Sequence, residues 1–311
     1  MFERSEVSRI IDEQILPKSF FEEEVRTGFH VSTERKKLWA VQLDLLLKFD
    51  KVCKDYDFQY FLVGGTLLGA IRHNGFIPWD DDLDVAMPRS DYENLLRLNL
   101  FNPPYLLQTP YTDSYYAFSH SRLRNINTTS FNRIFAFQPM CHGVYIDIHP
   151  IDNWMIEDKE SYDRINALNK ENSTYMRLTN PLLDDANKER CRHWSKRNPI
   201  DVYEEIQSIA KQYNNQETGY KIRAVITFMN YESMVMRSEW YNGFRLCDFE
   251  GFQFPVPFEA EKMLCVRYGD WQKPPSNSEK GCWHHYIFDA DVPYPIFMEK
   301  YRNEQIATID R

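Results

Sequence analysis

Residues 61–87 read FLVGGTLLGAIRHNGFIPWDDDLDVAM, and the order of residue types in that stretch decides the fold. Tyr60-Phe61-Leu62-Val63 has the pattern of a buried strand, and Gly64-Gly65 that of a sharp turn where backbone can approach a ligand closely. Thr66 stands where an N-cap would, ahead of the short helix Leu67-Leu68-Gly69-Ala70-Ile71-Arg72. Free N–H groups at such a helix start, together with the positive end of its dipole, make an anion site. The acids then alternate with apolar residues, Asp80-Asp81-Asp82-Leu83-Asp84-Val85-Ala86. On a strand, positions i and i+2 share a face about 6–7 Å apart. Asp82 and Asp84 are therefore expected to project together, with Leu83 and Val85 on the buried face and Asp81 pointing away. Two carboxylates held side by side repel unless a cation sits between them, and an oxygen-only set suits a hard ion such as Mg²⁺, with Mn²⁺ as the alternative. A glycine turn or an acidic strand alone is weak evidence; joined by one short helix they point to a phosphate-plus-metal site. A calcium loop counted from Asp80 would need Gly at its sixth place and Glu at its twelfth, where the chain has Val85 and Asp91.

The segment GGTLLGAIRHNGFIPWDDDLDVAM closely resembles the signature of the LicD family, the phosphorylcholine transferases whose eukaryotic relatives include fukutin and fukutin-related protein. The likeness extends more weakly over about residues 34–150. It resumes at FEGFQFPVPFEAEKMLCVRYGDWQKPP, residues 249–275. It implies a nucleotidyltransferase fold of α+β class: a small mixed β-sheet flanked by helices with a helical insertion. It also implies a third carboxylate on a neighbouring strand, and Asp147 between Ile146 and Ile148 has that pattern. Asp82, Asp84 and Asp147 are thus the expected metal ligands and catalytic acids, with Asp147 as general base the open alternative. Gly64, Gly65 and Thr66 are the expected phosphate cradle. Arg72 and His73, a pair shared with the family pattern, are placed where they could reach a phosphate; packing of Arg72 on Trp79 is the structural alternative. Asp80 and Trp79 are possible supporting residues, and Arg122 and Arg124, alternating on one strand, possible nucleotide or acceptor contacts.

The resemblance supplies the chemistry: transfer of phosphocholine, or a similar phospho-alcohol, from a CDP-activated donor such as CDP-choline to a sugar hydroxyl, with release of CMP. The acceptor would be a cell-surface glycan (teichoic acid, lipopolysaccharide or capsule) or its lipid-linked oligosaccharide precursor. Glycerol-phosphate or ribitol-phosphate transfer, and nucleotidyl transfer to a small acceptor, are the alternatives. A choline headgroup would call for an aromatic box; Trp271, Trp283 and Tyr286 are possible members.

The 311 residues carry a net charge of −9, which disfavours nucleic acid as a partner. Six cysteines without a C-x-x-C pair fit reduced thiols. His142, His149, His284 and His285 have no zinc spacing and read as structural or solvent-facing. The charged opening MFERSEVSRIIDEQILP has no secretory apolar core, and the most apolar run, Leu38–Phe49, is broken by Gln42, Asp44 and Lys48. The expectation is a cytoplasmic protein without a transmembrane segment, peripheral at most to the inner face of a membrane.

Along the chain, residues 1–156 read as the catalytic core, 157–240 as a helical insertion or subdomain, and 241–311 as strands and a helix completing the core, plus a tail. Helical spacing runs from Thr33 to Tyr56, and strands are expected at Tyr105–Gln108, Tyr116–Asn125 and Val144–His149, the last ended by Pro150. Helical patterns follow at Lys159–Arg177, Pro199–Gln212 and Tyr220–Tyr231. The strand region Phe244–Val256 is expected to return the chain to the main sheet, ahead of a helix at Glu259–Tyr268.

Overall fold

The helix Thr33–Tyr56 opens with the Ser32 hydroxyl capping the Arg35 amide at 3.3 Å and closes on Asp57 in the left-handed region. Its apolar stripe, including Leu38, Val41, Leu45 and Phe49, is fully buried, because that spacing sets one face of a helix against the sheet. The computed structural model describes residues 5–194, 197–223, 229–276, 280 and 286–307. Within it the architecture is mixed α/β: a seven-stranded sheet with helices packed around it, plus three small two-stranded pairings. Among the described residues no helix is long and apolar enough to cross a membrane.

One long strand, Val144–Trp154, organises the main sheet. On one side it pairs in parallel with the acidic strand Asp84–Pro88, which in turn pairs antiparallel with Phe61–Leu62. On the other side residues 144–148 pair antiparallel with Ser121–Asn125, and residues 152–154 pair with Tyr220–Ile222. Pro150 does not end this strand as expected. It falls in the gap between those two antiparallel partners, where no N–H is demanded on that side, so a residue without one is tolerated.

Other expectations also change. Tyr220–Ile222 is a strand, not the start of a helix, because it pairs with both the central strand and Val235–Arg237; residues 224–228 lie outside the described part. The strand expected from Tyr116 begins at Ser121. Phe244–Phe249 and Phe252–Pro257 form a hairpin of their own and do not join the main sheet. Its two-residue turn, Glu250-Gly251, has both φ angles positive, the geometry that matches strand twist. Glu250 fastens this hairpin to the motif: its amide donates to the Asn74 carbonyl at 2.9 Å, and its carboxylate accepts from Phe76 N at 3.1 Å and from the Arg26 guanidinium. Between residues 159 and 210 three helices occur, Lys159–Tyr175, Asp185–Trp194 and Pro199–Ala210.

A buried network ties these helices to the sheet. Arg89 forks onto Asp152 at 2.7 and 2.6 Å and donates to Gln207 Oε1 at 2.7 Å, while Asn214 donates to Asp152 at 2.6 Å. A buried ion pair is worth little net, but removing one partner leaves an uncompensated charge. Asp152→Ala should therefore lower stability by about 3–5 kcal/mol. The double replacement Arg89→Met with Asp152→Leu should lose much less, as urea-unfolding midpoints of the two variants will show.

Candidate active site

The parallel register places Asp84 directly opposite Asp147, and the antiparallel register places Arg122 opposite Asp147 on its other side. A row of charge, Arg122–Asp147–Asp84, thus crosses three adjacent strands on one face of the sheet. Arg122 Nε donates to Asp147 Oδ1 at 2.6 Å, with its guanidinium over the Tyr145 ring at 3.9 Å. His120 Nε2 meets the same oxygen at 2.9 Å, and His149 Nε2 meets Asp84 Oδ1 at 3.0 Å. The two imidazoles lie against each other, ring centres 4.7 Å apart. These bonds use Oδ1 of each carboxylate.

The glycine turn closes in on the same acids. Gly64 has φ +59°, and a Cβ there would sit 3.0 Å from Asp84 Oδ2; a Cβ on Gly65 would sit 2.6 Å from Asp80 Oδ2. Glycine is required at this close approach because any side chain would displace a carboxylate. Thr66 is not the N-cap expected of it. The helix starts at Gly64, so Thr66 lies inside the first turn, where its hydroxyl accepts from the Asp84 amide at 2.8 Å. It fastens the acidic strand to the helix start.

The acids do not share one straight strand. Regular pairing begins only at Asp84, and Asp80, Asp81 and Asp82 lie on the irregular stretch that follows the turn at Pro78-Trp79, with carboxylate oxygens within 4.8 Å of one another. Asp81 is buried and belongs to that cluster; it does not point away. A second group, Asp84, Asp147 and His149, is equally tight. The consequences for ionisation are opposite in sign. Burial, then repulsion from Asp80, Asp84, Asp81 and Asp147, pushes the Asp82 carboxyl well above its ordinary value. Asp147 is held below the carboxylate range although burial opposes it, because Arg122 and His120 stabilise its charge. Asp84 is lowered against burial by the hydrogen bond from His149. His120 is pushed down to about 4, by burial first, so a neutral imidazole donates its Nε2–H to Asp147.

Other expected residues are placed elsewhere. Arg72 Nη1 donates to the Trp271 carbonyl at 2.7 Å and Nε to His73 at 2.9 Å. Both sit at the far end of the helix, about 10 Å along its axis from Gly65, and are not brought to the carboxylates. Trp79 is buried in the main core with the His73 ring edge-on at 5.9 Å. Arg124 is fully buried between Gln108 and the Gly143 carbonyl, a structural role that leaves no reach toward a substrate. Trp283, His284 and His285 lie outside the described residues. His149 did carry a signal, since it follows Asp147 by two on a strand and so shares its face; His120 had none. A cleft of about 530 Å³ between Arg89, Glu93, Tyr111 and Lys211 lies at the opposite end of the acidic strand.

Two groups, Asp80 with Asp81 and Asp82, and Asp84 with Asp147 and His149, are each candidates for holding a cation. Residues 57–177 match the family model for the LicD/FKTN/FKRP nucleotidyltransferase domain. The chain is 27% identical over 268 residues to the lipopolysaccharide cholinephosphotransferase LicD of Haemophilus influenzae, a match spanning 81% of this chain and 96% of that one. It is 42% identical over 92 residues to an uncharacterized protein of Rickettsia prowazekii, 27% of this chain and 33% of that one. Over 40 residues it is 48% identical to the human ribitol 5-phosphate transferase FKRP, 13% of this chain and 8% of that one. The chain carries a LicD-family domain and is an enzyme of the LicD phosphotransferase type.

Asp82 binds its proton more readily in the folded chain than in the unfolded one, so its ionisation costs stability, and the cost grows as pH rises above the ordinary carboxylate value near 4. Without divalent ions, Asp82→Asn should raise the melting temperature by about 2–4 °C at pH 8. The gain should shrink toward zero near pH 4, as calorimetric scans across that range will test.

Proposed function

We propose that this enzyme moves a phospho-alcohol, phosphocholine or a close analogue, from a CDP-activated donor to a sugar hydroxyl of a cell-surface glycan or its lipid-linked precursor, releasing CMP. The observation that carries the reading is the pairing of Asp84 with Asp147 across parallel strands, beside a glycine turn whose backbone touches both Asp84 and Asp80. The mixed sheet flanked by helices supports a nucleotidyltransferase-type core built on residues 1–156, to whose sheet Tyr220–Ile222 and Val235–Arg237 of the segment 157–240 add two strands.

The residues present fit Mg²⁺. Asp84 and Asp147 each keep Oδ2 clear of the bonds made to His149, His120 and Arg122, and Asp82 sits among four like charges that a cation would neutralise. When bound, the ion would supply charge neutralisation at the diphosphate and the leaving CMP. His120, Arg122 and His149 orient the carboxylates, fixing which oxygen faces the substrate. Asp147, held by an arginine and a histidine, is a weak base and suits a ligand's role better than proton removal. In the transfer, the acceptor hydroxyl oxygen attacks the phosphorus nearest the headgroup and gives up its proton to water, and the P–O bond to CMP breaks with its electron pair leaving on CMP. The short, high-identity match to a ribitol 5-phosphate transferase favours ribitol phosphate as the second choice of group.

With Mg²⁺ and a glycan acceptor, one of CDP-choline, CDP-ribitol and CDP-glycerol should release CMP with the alcohol phosphate appearing on the acceptor by ³¹P NMR. Asp84→Asn and Asp147→Asn should abolish release, and His149→Ala should slow it roughly 10–100-fold. Turnover of CTP to pyrophosphate, with every CDP-alcohol untouched, would overturn the reading in favour of nucleotidyl transfer.

A further inference from the structure

Gly64 has two neighbours. One is Asp84; the other is a pocket that Gly64 lines with Val63, Leu67, Arg223, Arg267 and Tyr268, among others. Arg223 is 8% exposed, and its Nη1 is buried without any hydrogen-bond partner. Among the described residues no carboxylate forms an ion pair with it. A donor left so is costly, since Nη1 is stripped of water and given no acceptor in return. Arg267, on the same wall, is met by the thioethers of Met234 and Met229 and by Ser233 Oγ at 3.5 Å. Thioether sulfur is a weak acceptor, and this half-buried guanidinium pairs with no carboxylate among the described residues. The two guanidiniums repel each other, which with burial lowers the proton affinity of Arg223.

We propose that Arg223 and Arg267 form an anion subsite that takes the diphosphate of the activated donor, in the pocket that Gly64 lines. The inference rests on the reading above only for what carries the diphosphate. Several features fit. Paired guanidiniums are suited to bidentate grip on phosphate oxygens. The pocket meets the carboxylates at Gly64, so a diphosphate lying across that residue would have one flank on arginine and the other on the acid cluster. Asp84 lies near enough to Arg223 for each to feel the other's charge, so the basic and acidic halves belong to one site. The residue is contributed by the stretch just after the strand Tyr220–Ile222, far in sequence from the motif.

Isothermal calorimetry with inorganic pyrophosphate in EDTA tests the subsite apart from turnover. Wild type should bind without metal. Arg223→Gln and Arg267→Gln should each weaken binding at least tenfold. A merely structural arginine would lower the melting temperature when replaced. Here Arg223→Gln should melt no lower than wild type, because an unanswered buried charge is removed. If Arg223→Gln does not fold, Arg223→Lys keeps the charge without the fork and should still bind about tenfold more weakly. Absent binding in wild type, or equal affinity in the folded variants, would overturn the subsite. Failure of CDP-alcohol turnover alongside arginine-dependent pyrophosphate binding would sink the donor assignment and leave the subsite standing. Normal turnover by both glutamine variants would do the reverse.

Discussion

The register between two parallel strands puts Asp84 beside Asp147, and most of the molecule's polar interior answers that placement. Two carboxylates on neighbouring strands, shielded from water, repel strongly in a medium of low effective dielectric. Arg122 comes to Asp147 from the antiparallel neighbour, His120 from the segment before it, and His149 to Asp84 from two residues along the central strand. Each is held in turn. The Arg122 guanidinium is sandwiched by the Tyr145 and Phe118 rings, and the imidazoles pack on one another. Slipping the register by one residue would turn Asp147 and His149 to the opposite face and bring Ile146 and Ile148 into the site. The apolar alternation therefore enforces the chemistry as well as the core.

The same economy governs the helix start. A helix whose first turn approached two carboxylates would be unfavourable were its N-terminus not the positive end of the dipole. Gly64 and Gly65 make the approach possible, and Thr66 locks it by accepting from the Asp84 amide. The acids are thus partly compensated by backbone before any ligand binds. Asp82 is the remainder: crowded by four like charges, it is the carboxyl least at ease in its surroundings. A site that crowds one acid with four like charges is poised to gain the most from a cation.

Much of this was legible from residues 61–87, because the motif compresses strand, turn, helix and strand into one local unit whose register follows from alternation. Asp147 was legible as an acid between two isoleucines, and the resemblance to LicD proteins gave it meaning. The misreadings are of two kinds. Local geometry was drawn too regular: three consecutive aspartates were read as strand, whereas their mutual repulsion is accommodated on an irregular stretch, and Thr66 was placed one turn too early. Long-range partners were invisible. His120, the hairpin at 244–257 and Arg223 reach their places through pairings of strands that lie outside the motif in sequence. The arginines of the motif and of the strand beside it misled for a related reason: Arg72 and Arg124 carry a phosphate binder's side chain but spend it on backbone carbonyls.

The distribution of unanswered charge is what separates a catalytic reading from a structural one. At Arg89 and Asp152 the fold answers a buried ion pair with hydrogen bonds from several sides. A protein able to build that network could have paired Arg223 with one of the surplus aspartates a short distance away. It instead keeps a group of acids and a pair of arginines near one another without a salt bridge between them among the described residues, with Gly64 next to Asp84 and in the wall of the arginine pocket. Such a separation costs stability, and it persists in a fold only where something bound relieves both halves together. A ligand that does so must be anionic toward the arginines and must bring, or share, a cation toward the acids. A diphosphate ester with its divalent ion meets both demands at once, which is why the site reads as one for an activated phospho-alcohol and not as two unrelated patches.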